Sequence, residues 1–280
     1  MTIKTYLIIA ASVLSLQLAG CATTSTTKSG AVGVERKQYV GLVSEKEAEQ
    51  ESALAYQKTM KEAQDKKVLN TDSKETQRVR NIANRLIAQV GVFRPDALNW
   101  KWEINVMDSK EVNAYCMAGG KIMVYTGLLD QIKPSDDELA AVMGHEISHA
   151  LREHVREQMS RAKVQQYGLL GLAAAVGVTT KNADNANAAL ALGGTVAAVA
   201  LTLPNSRTAE HEADEIGLEL AARAGYNPEA AITLWNKMNA LGGSKPPEFL
   251  STHPSGDSRI ADLKAMMPRV LPLYQAAKSK

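Results

Sequence analysis

Ser135-Asp136-Asp137-Glu138-Leu139-Ala140-Ala141-Val142-Met143-Gly144-His145-Glu146-Ile147-Ser148-His149 is the stretch whose reading decides the fold. Ser135 is a good N-cap, and Glu138 three residues on completes a capping box. The apolar run that follows predicts a helix from 136 to about 163. It carries an HExxH motif, His145-Glu146-Ile147-Ser148-His149. Positions i and i+4 share a helix face, so both imidazoles can reach one metal ion. Glu146 is offset by about 100° of helix turn, which puts its carboxylate beside the ion. That place suits a base acting on water.

Catalytic zinc takes three protein ligands and one open position. The metzincin pattern requires glycine and a third histidine downstream; Arg152 and Val155 stand there, which excludes that family. His154, five residues after His149, points off the ligand face of a continuous helix and reads as a surface residue. The better third ligand is Glu210, in Glu210-His211-Glu212-Ala213-Asp214. Glu210 and Asp214 again share a face. Glu210 can ligate zinc while Asp214 accepts the N–H of a ligating histidine and fixes its tautomer. The direction of His211 disagrees with this pair, and Glu212 and Glu215 read as solvated. One Zn2+ per chain is expected, although two imidazoles and a carboxylate accept other divalent ions.

Upstream of the motif helix, helices are expected from Ser44 to about Lys67, with Glu47 completing a second capping box, and over about 73–90. Trp100, Trp102, Ile104 and Val106 alternate with polar residues as in a half-buried strand. Val112–Met117 and Lys121–Tyr125 read as two more strands, joined at Ala118-Gly119-Gly120. These make a small antiparallel sheet. Downstream come two Ala/Gly-rich apolar runs, 168–180 and 188–203. Further helices are expected from Thr208 to Gly225, from Asn227-Pro228 to about Leu241, and from about Asp257. The fold class is α+β, mainly helical.

The chain has 280 residues, 45% hydrophobic and 22% charged, with a net charge of +2. That balance speaks against a nucleic-acid partner. Two cysteines, Cys21 and Cys116, make no disulfide framework. Residues 1–20 combine Lys4, an apolar stretch from Tyr6 to Leu18, and small Ala19 and Gly20, as a secretory signal peptide does. Leu18-Ala19-Gly20-Cys21 resembles the bacterial lipobox, which implies lipid attachment at Cys21, and Ala22 after it implies the outer membrane. Residues 21–43, rich in Ser, Thr, Gly and Ala, read as a flexible tether, and 44–280 as the catalytic domain. Neither apolar run is a convincing membrane span; both are expected as buried Ala-rich helices, against a membrane-facing or self-associating hairpin.

Asn113-Ala114-Tyr115, Gly119-Gly120-Lys121, Tyr125-Thr126-Gly127-Leu128-Leu129, HExxH, Ser206-Arg207 ahead of Glu210 and Asp214, and Thr252-His253-Pro254-Ser255 with Arg259-Ile260 occur in that order. In combination they resemble the HtpX-like and CAAX-prenyl-protease-like zinc metallopeptidases of the zincin type, over about 75–265. The likeness extends to the periplasmic lipoprotein members and to mitochondrial inner-membrane relatives. It implies Glu210 as third zinc ligand with Asp214 as its partner, and substrate added as a strand along Asn113, Ala114 and Tyr115 to Met117. It also implies a place for His253 near the reacting centre, where it can stabilise the tetrahedral intermediate. Arg207 and Arg259 match arginines that are structural or orient acidic groups. Ala118 stands where many relatives have proline, which loosens the turn only. The implied function is hydrolysis of unfolded or damaged cell-envelope proteins. A chaperone or adaptor that cleaves little, or a lipoprotein with purely structural zinc, are the competing classes. Glu146 argues against the last, since a structural site has no use for a base.

Overall fold

The computed structural model describes residues 23–180, 205–241, 248–253 and 257–279, with the side chains of 168–180 and 257–258 left aside. The signal segment, Cys21 and the apolar run 188–203 therefore lie outside the described residues. In chain order the elements are β1 (Thr23–Thr24), β2 (Gln38–Tyr39), α1 (Glu45–Asp65), α2 (Ser73–Ile87), two short 3-10 turns, β3 (Glu103–Met107), β4 (Ala114–Met117) and β5 (Lys121–Tyr125). There follow α3 (Thr126–Ile132), α4 (Asp136–Leu151), α5 (His154–Thr180), α6 (Arg207–Arg223), α7 (Ala230–Ala240), α8 (Glu248–Thr252) and α9 (Asp257–Lys278). No helix among the described residues is long and apolar enough to cross a membrane.

Capping chemistry sets the helix starts. The Ser44 hydroxyl accepts from the Glu47 amide. The box at α4 is complete: Ser135 Oγ accepts from Glu138 N at 3.2 Å and Ser135 N donates to Glu138 Oε2 at 2.8 Å. α4 is buried continuously from Glu138 to Leu151. It crosses α6 at two glycines: a Cβ on Gly144 would meet Gly217 O at 2.9 Å, and one on Gly217 would meet His145 N at 2.8 Å. Only hydrogen at both positions lets the two backbones come this close.

Three expectations are corrected. The sheet is mixed. Its order is β3-β5-β4, with β3 parallel to β5 and β4 antiparallel to it. Ile122, Met123 and Val124 of β5 are all buried, so both faces of this strand are covered and it takes the centre. A hairpin partner inserted beside β3 must then run parallel to β3.

The motif helix does not run to 163. It ends at Leu151, and α5 restarts at His154 after Glu153 adopts a left-handed φ of 53°. The buried Glu153 carboxylate is held there by Arg94 Nη1 at 2.5 Å and Arg156 Nη1 at 2.6 Å.

The segment read as a tether is strand-paired from Thr23 and packed into the core at Val32 and Val34. The Val32 amide donates to Glu219 Oε2 at 2.9 Å, and the Lys28 amide to the Phe93 carbonyl at 2.8 Å. Its Ser/Thr/Gly composition does not register the valines and the Arg36 and Gln38 side chains that bind it down.

Candidate metal centre

α4 supplies His145 and His149, α6 supplies Glu210 and Asp214, and the turn after α8 supplies His253. One nitrogen each from His145, His149 and His253, and one Glu210 oxygen, lie within 4.8 Å of one another, and all four residues are buried. His145 Nε2 and His149 Nε2 are 3.0 Å apart. They stand 3.4 and 3.3 Å from Glu210 oxygens. His253 Nδ1 is 3.1 Å from Glu210 Oε1 and 3.2 Å from His145 Nε2. Zinc–nitrogen bonds of about 2.0–2.1 Å place the donors of a tetrahedral site about 3.3 Å apart, so this set fits the ion. Glu146 Oε1 is buried without a hydrogen-bond partner among the described residues, and His253 Nε2 lies 3.5 Å from it. An orphaned carboxylate oxygen at the edge of a donor cluster is where a base for water belongs.

The second ring nitrogens are also held. His145 Nδ1 is 2.8 Å from Asp214 Oδ1. Arg259 grips Asp214 twice at 2.7 Å, donates to Glu210 Oε2 at 2.9 Å, and lies over Trp235 at 3.6 Å from the ring centroid. Arg259 therefore orients the acidic groups, whereas Arg207 is exposed at the start of α6. His149 Nδ1 lies 2.8 Å from His154 Nδ1, and His154 Nε2 lies 3.1 Å from Glu212 Oε2.

His154 and Glu212, expected at the surface, are thus buried partners of the site. In an unbroken helix His154 would sit about 140° around from His149; the break at Glu153 swings it back. Glu215 pairs instead with the exposed His211, at 3.2 Å and away from the cluster.

Charges follow these contacts. Burial works against the charged form of His145, but hydrogen bonds to Asp214 and Glu210 outweigh it and raise the pKa to about 9. Burial dominates at His149 and keeps it neutral. Burial also opposes ionisation of Glu210, yet its histidine neighbours hold it far below the usual carboxylate range. Glu146 is raised by burial, only partly offset by His253 and His145. Cys116 is a buried free thiol whose pKa burial raises well above normal, and it takes no part in the donor set.

Among the described residues β4 lies at the edge of the three-stranded sheet. Ala114 is buried. Tyr115 packs edge-on against Tyr56 at 6.5 Å and near Tyr125 at 6.2 Å. The Asn113 amide side chain is turned to Glu111. Gly119 and Gly120 make the β4–β5 turn with φ of 75° and 81°, and a Cβ on Gly120 would strike the Trp102 ring at 2.6 Å.

The profile of peptidase family M48 matches residues 73–267. The chain is 41% identical over 180 residues to the mitochondrial metalloendopeptidase OMA1 of Arabidopsis thaliana, covering 64% of this chain and 34% of that protein. It is 33% identical over 216 residues to the OMA1 of Schizosaccharomyces pombe, covering 76% and 59%. It is 28% identical over 209 residues to the beta-barrel assembly-enhancing protease of Escherichia coli K12, covering 71% and 40%. The match thus spans between 34% and 59% of the length of these relatives.

Proposed function

Because the chain belongs to peptidase family M48, whose members are zinc-dependent, we propose that it is an endopeptidase that hydrolyses unfolded or damaged proteins of the cell envelope. The observation that carries the reading is the buried Glu146 carboxylate, whose Oε1 has no partner among the described residues, beside a three-histidine, one-glutamate donor set. His145, His149 and Glu210 would hold the metal. Zinc, when bound, supplies a Lewis acid that polarises the scissile carbonyl and acidifies water to near neutrality. Glu146 takes a proton from the attacking water as its oxygen adds to the carbonyl carbon, and returns it to the amine as the C–N bond breaks. The burial that raises Glu146 brings its proton affinity closer to that task. Asp214, held by Arg259, faces His145 Nδ1, so the proton a metal would displace is the one on Nε2. His253, at the edge of the donor set with Nε2 3.5 Å from Glu146 Oε1, would serve the developing oxyanion through a ring N–H.

Substrate backbone is proposed to add along β4, from Asn113 to Met117, which makes recognition tolerant of sequence and selective for extended, unfolded chain. The signal-like segment and Cys21 support an envelope location with a lipid anchor on the outer membrane, facing the periplasm. The beta-barrel assembly-enhancing relatives support an envelope setting, whereas the OMA1 relatives are mitochondrial.

The completeness of the four-donor set favours one competing reading, a zinc-holding adaptor that cleaves little. Casein hydrolysis by the purified full chain, with zinc assayed in wild type and Glu146→Gln, separates the two. Cleavage that falls by about 10²–10⁴-fold in the variant while zinc stays bound supports the peptidase. Zinc in both with cleavage by neither supports the adaptor, and zinc in neither refutes both.

A further inference from the structure

We propose that His154, Glu212 and Arg36 form a positioning relay that fixes the ring and tautomer of His149, so that metal affinity depends on the N-terminal segment. The proposal rests on the reading of His149 as a metal ligand through Nε2. With Nε2 presenting its lone pair, the ring proton of His149 must sit on Nδ1. Nδ1 faces His154 Nδ1 at 2.8 Å, which must then be the acceptor. A neutral His154 that accepts at Nδ1 carries its proton on Nε2, and Nε2 points at Glu212 Oε2, 3.1 Å away. Each tautomer in the chain is therefore determined by the one before it, and the chain ends on a carboxylate.

That carboxylate is itself fixed. Arg152, with a side chain fully buried, lies 3.0 Å from Glu212 Oε2. Arg36 donates to Glu212 at 2.6 and 3.0 Å and bidentately to Glu157 of α5 at 2.8 Å. The Arg36 carbonyl accepts from Arg152 Nη2 at 3.0 Å. Gln38 binds the Arg152 carbonyl and lies 3.3 Å from Glu157 Oε2.

The arrangement parallels the other histidine, where Asp214 holds His145 Nδ1 and Arg259 holds Asp214. The difference is that the last link on the His149 side comes from residues 36–38, a part of the chain before the catalytic core. Partners of ligand histidines that set tautomer and orientation are worth about 10–100-fold in metal affinity.

The test uses purified full-length protein and measures zinc affinity by competition with a chromogenic chelator, alongside the melting temperature of the metal-free protein. His154→Phe keeps a planar ring but neither accepts nor donates, and zinc affinity is expected to fall by about 10–100-fold. His154→Gln can accept from His149 Nδ1 with its carbonyl and donate to Glu212 with its amide, so it is expected to recover most of that loss. Arg36→Ala, at a partly exposed position, is expected to weaken zinc by a smaller factor, because Arg152 still holds Glu212. Equal losses in the Phe and Gln variants, tracking the apo melting temperature, mean a packing role and overturn the relay. Zinc held as tightly by His154→Phe as by wild type overturns it alone, while a wild type that takes up no zinc overturns the metal reading with it.

Discussion

Gly217→Ala tests how the site is assembled. The new Cβ would lie 2.8 Å from His145 N, 2.9 Å from Gly144 C and 3.0 Å from His145 Cα, all backbone atoms that no side-chain rotation can clear. Ordinary carbon contacts begin near 3.4 Å, so α4 and α6 must part by about 0.6 Å locally. Overpacking of this kind costs about 1–3 kcal/mol. The gain in helix propensity from Gly to Ala returns up to about 1 kcal/mol, so net stability falls only modestly. The metal site has less room for error: α4 carries both histidines and α6 carries Glu210 and Asp214. A shift of that size exceeds the roughly 0.2 Å tolerance of ligand distances, and zinc affinity should fall by about 10–100-fold. Chelator competition measures the affinity and urea unfolding of the apo protein measures the stability. Wild-type zinc affinity, or a variant more stable than wild type, would show that the crossing does not set the ligand geometry.

Arg259→Ala should destabilise the apo protein by about 3–5 kcal/mol in urea titration, because Asp214 and Glu210 lose their buried counter-charge. Arg259→Lys should recover little, since a single ammonium cannot make the paired contacts to Asp214 while lying flat on Trp235. Acid should act elsewhere as well. Burial opposes the charge on Glu157, but Arg36 and Arg161 outweigh it and lower its pKa from an ordinary 4.5 to about 2. Its contribution is therefore complete above about pH 4.5 and lost as pH falls toward 2. Arg36→Ala should flatten that part of a stability–pH curve, and an unchanged curve would refute the assignment.

The helical skeleton was legible because its signals are local. Ser135 with Glu138, Asn227-Pro228 and Gly225 mark helix ends whatever the tertiary context, and the i, i+4 spacings of His145/His149 and Glu210/Asp214 place four site residues. What escaped depends on contacts distant in sequence. The break at Glu153 has no glycine or proline to announce it, being held by Arg94 from another part of the chain. With the helix read as continuous, His154 faced away, and its link to Glu212 could not be seen. Gly144 and Gly217 look like ordinary helical glycines until the two backbones are set side by side. The parallel pairing of β3 and β5 was recoverable in principle, since Ile122-Met123-Val124 lacks the alternation of an edge strand.

The packing of residues 23–40 also bears on reach. One residue, Ala22, stands between Cys21 and the first paired residue, Thr23. Two residue steps of extended chain cover about 7 Å. If Cys21 carries the proposed lipid, a chain this short would keep the catalytic body close to the bilayer, like a boat on a short painter, able to swivel and not to range. Its working radius would be the size of the domain itself, and substrates would have to meet it at the membrane surface.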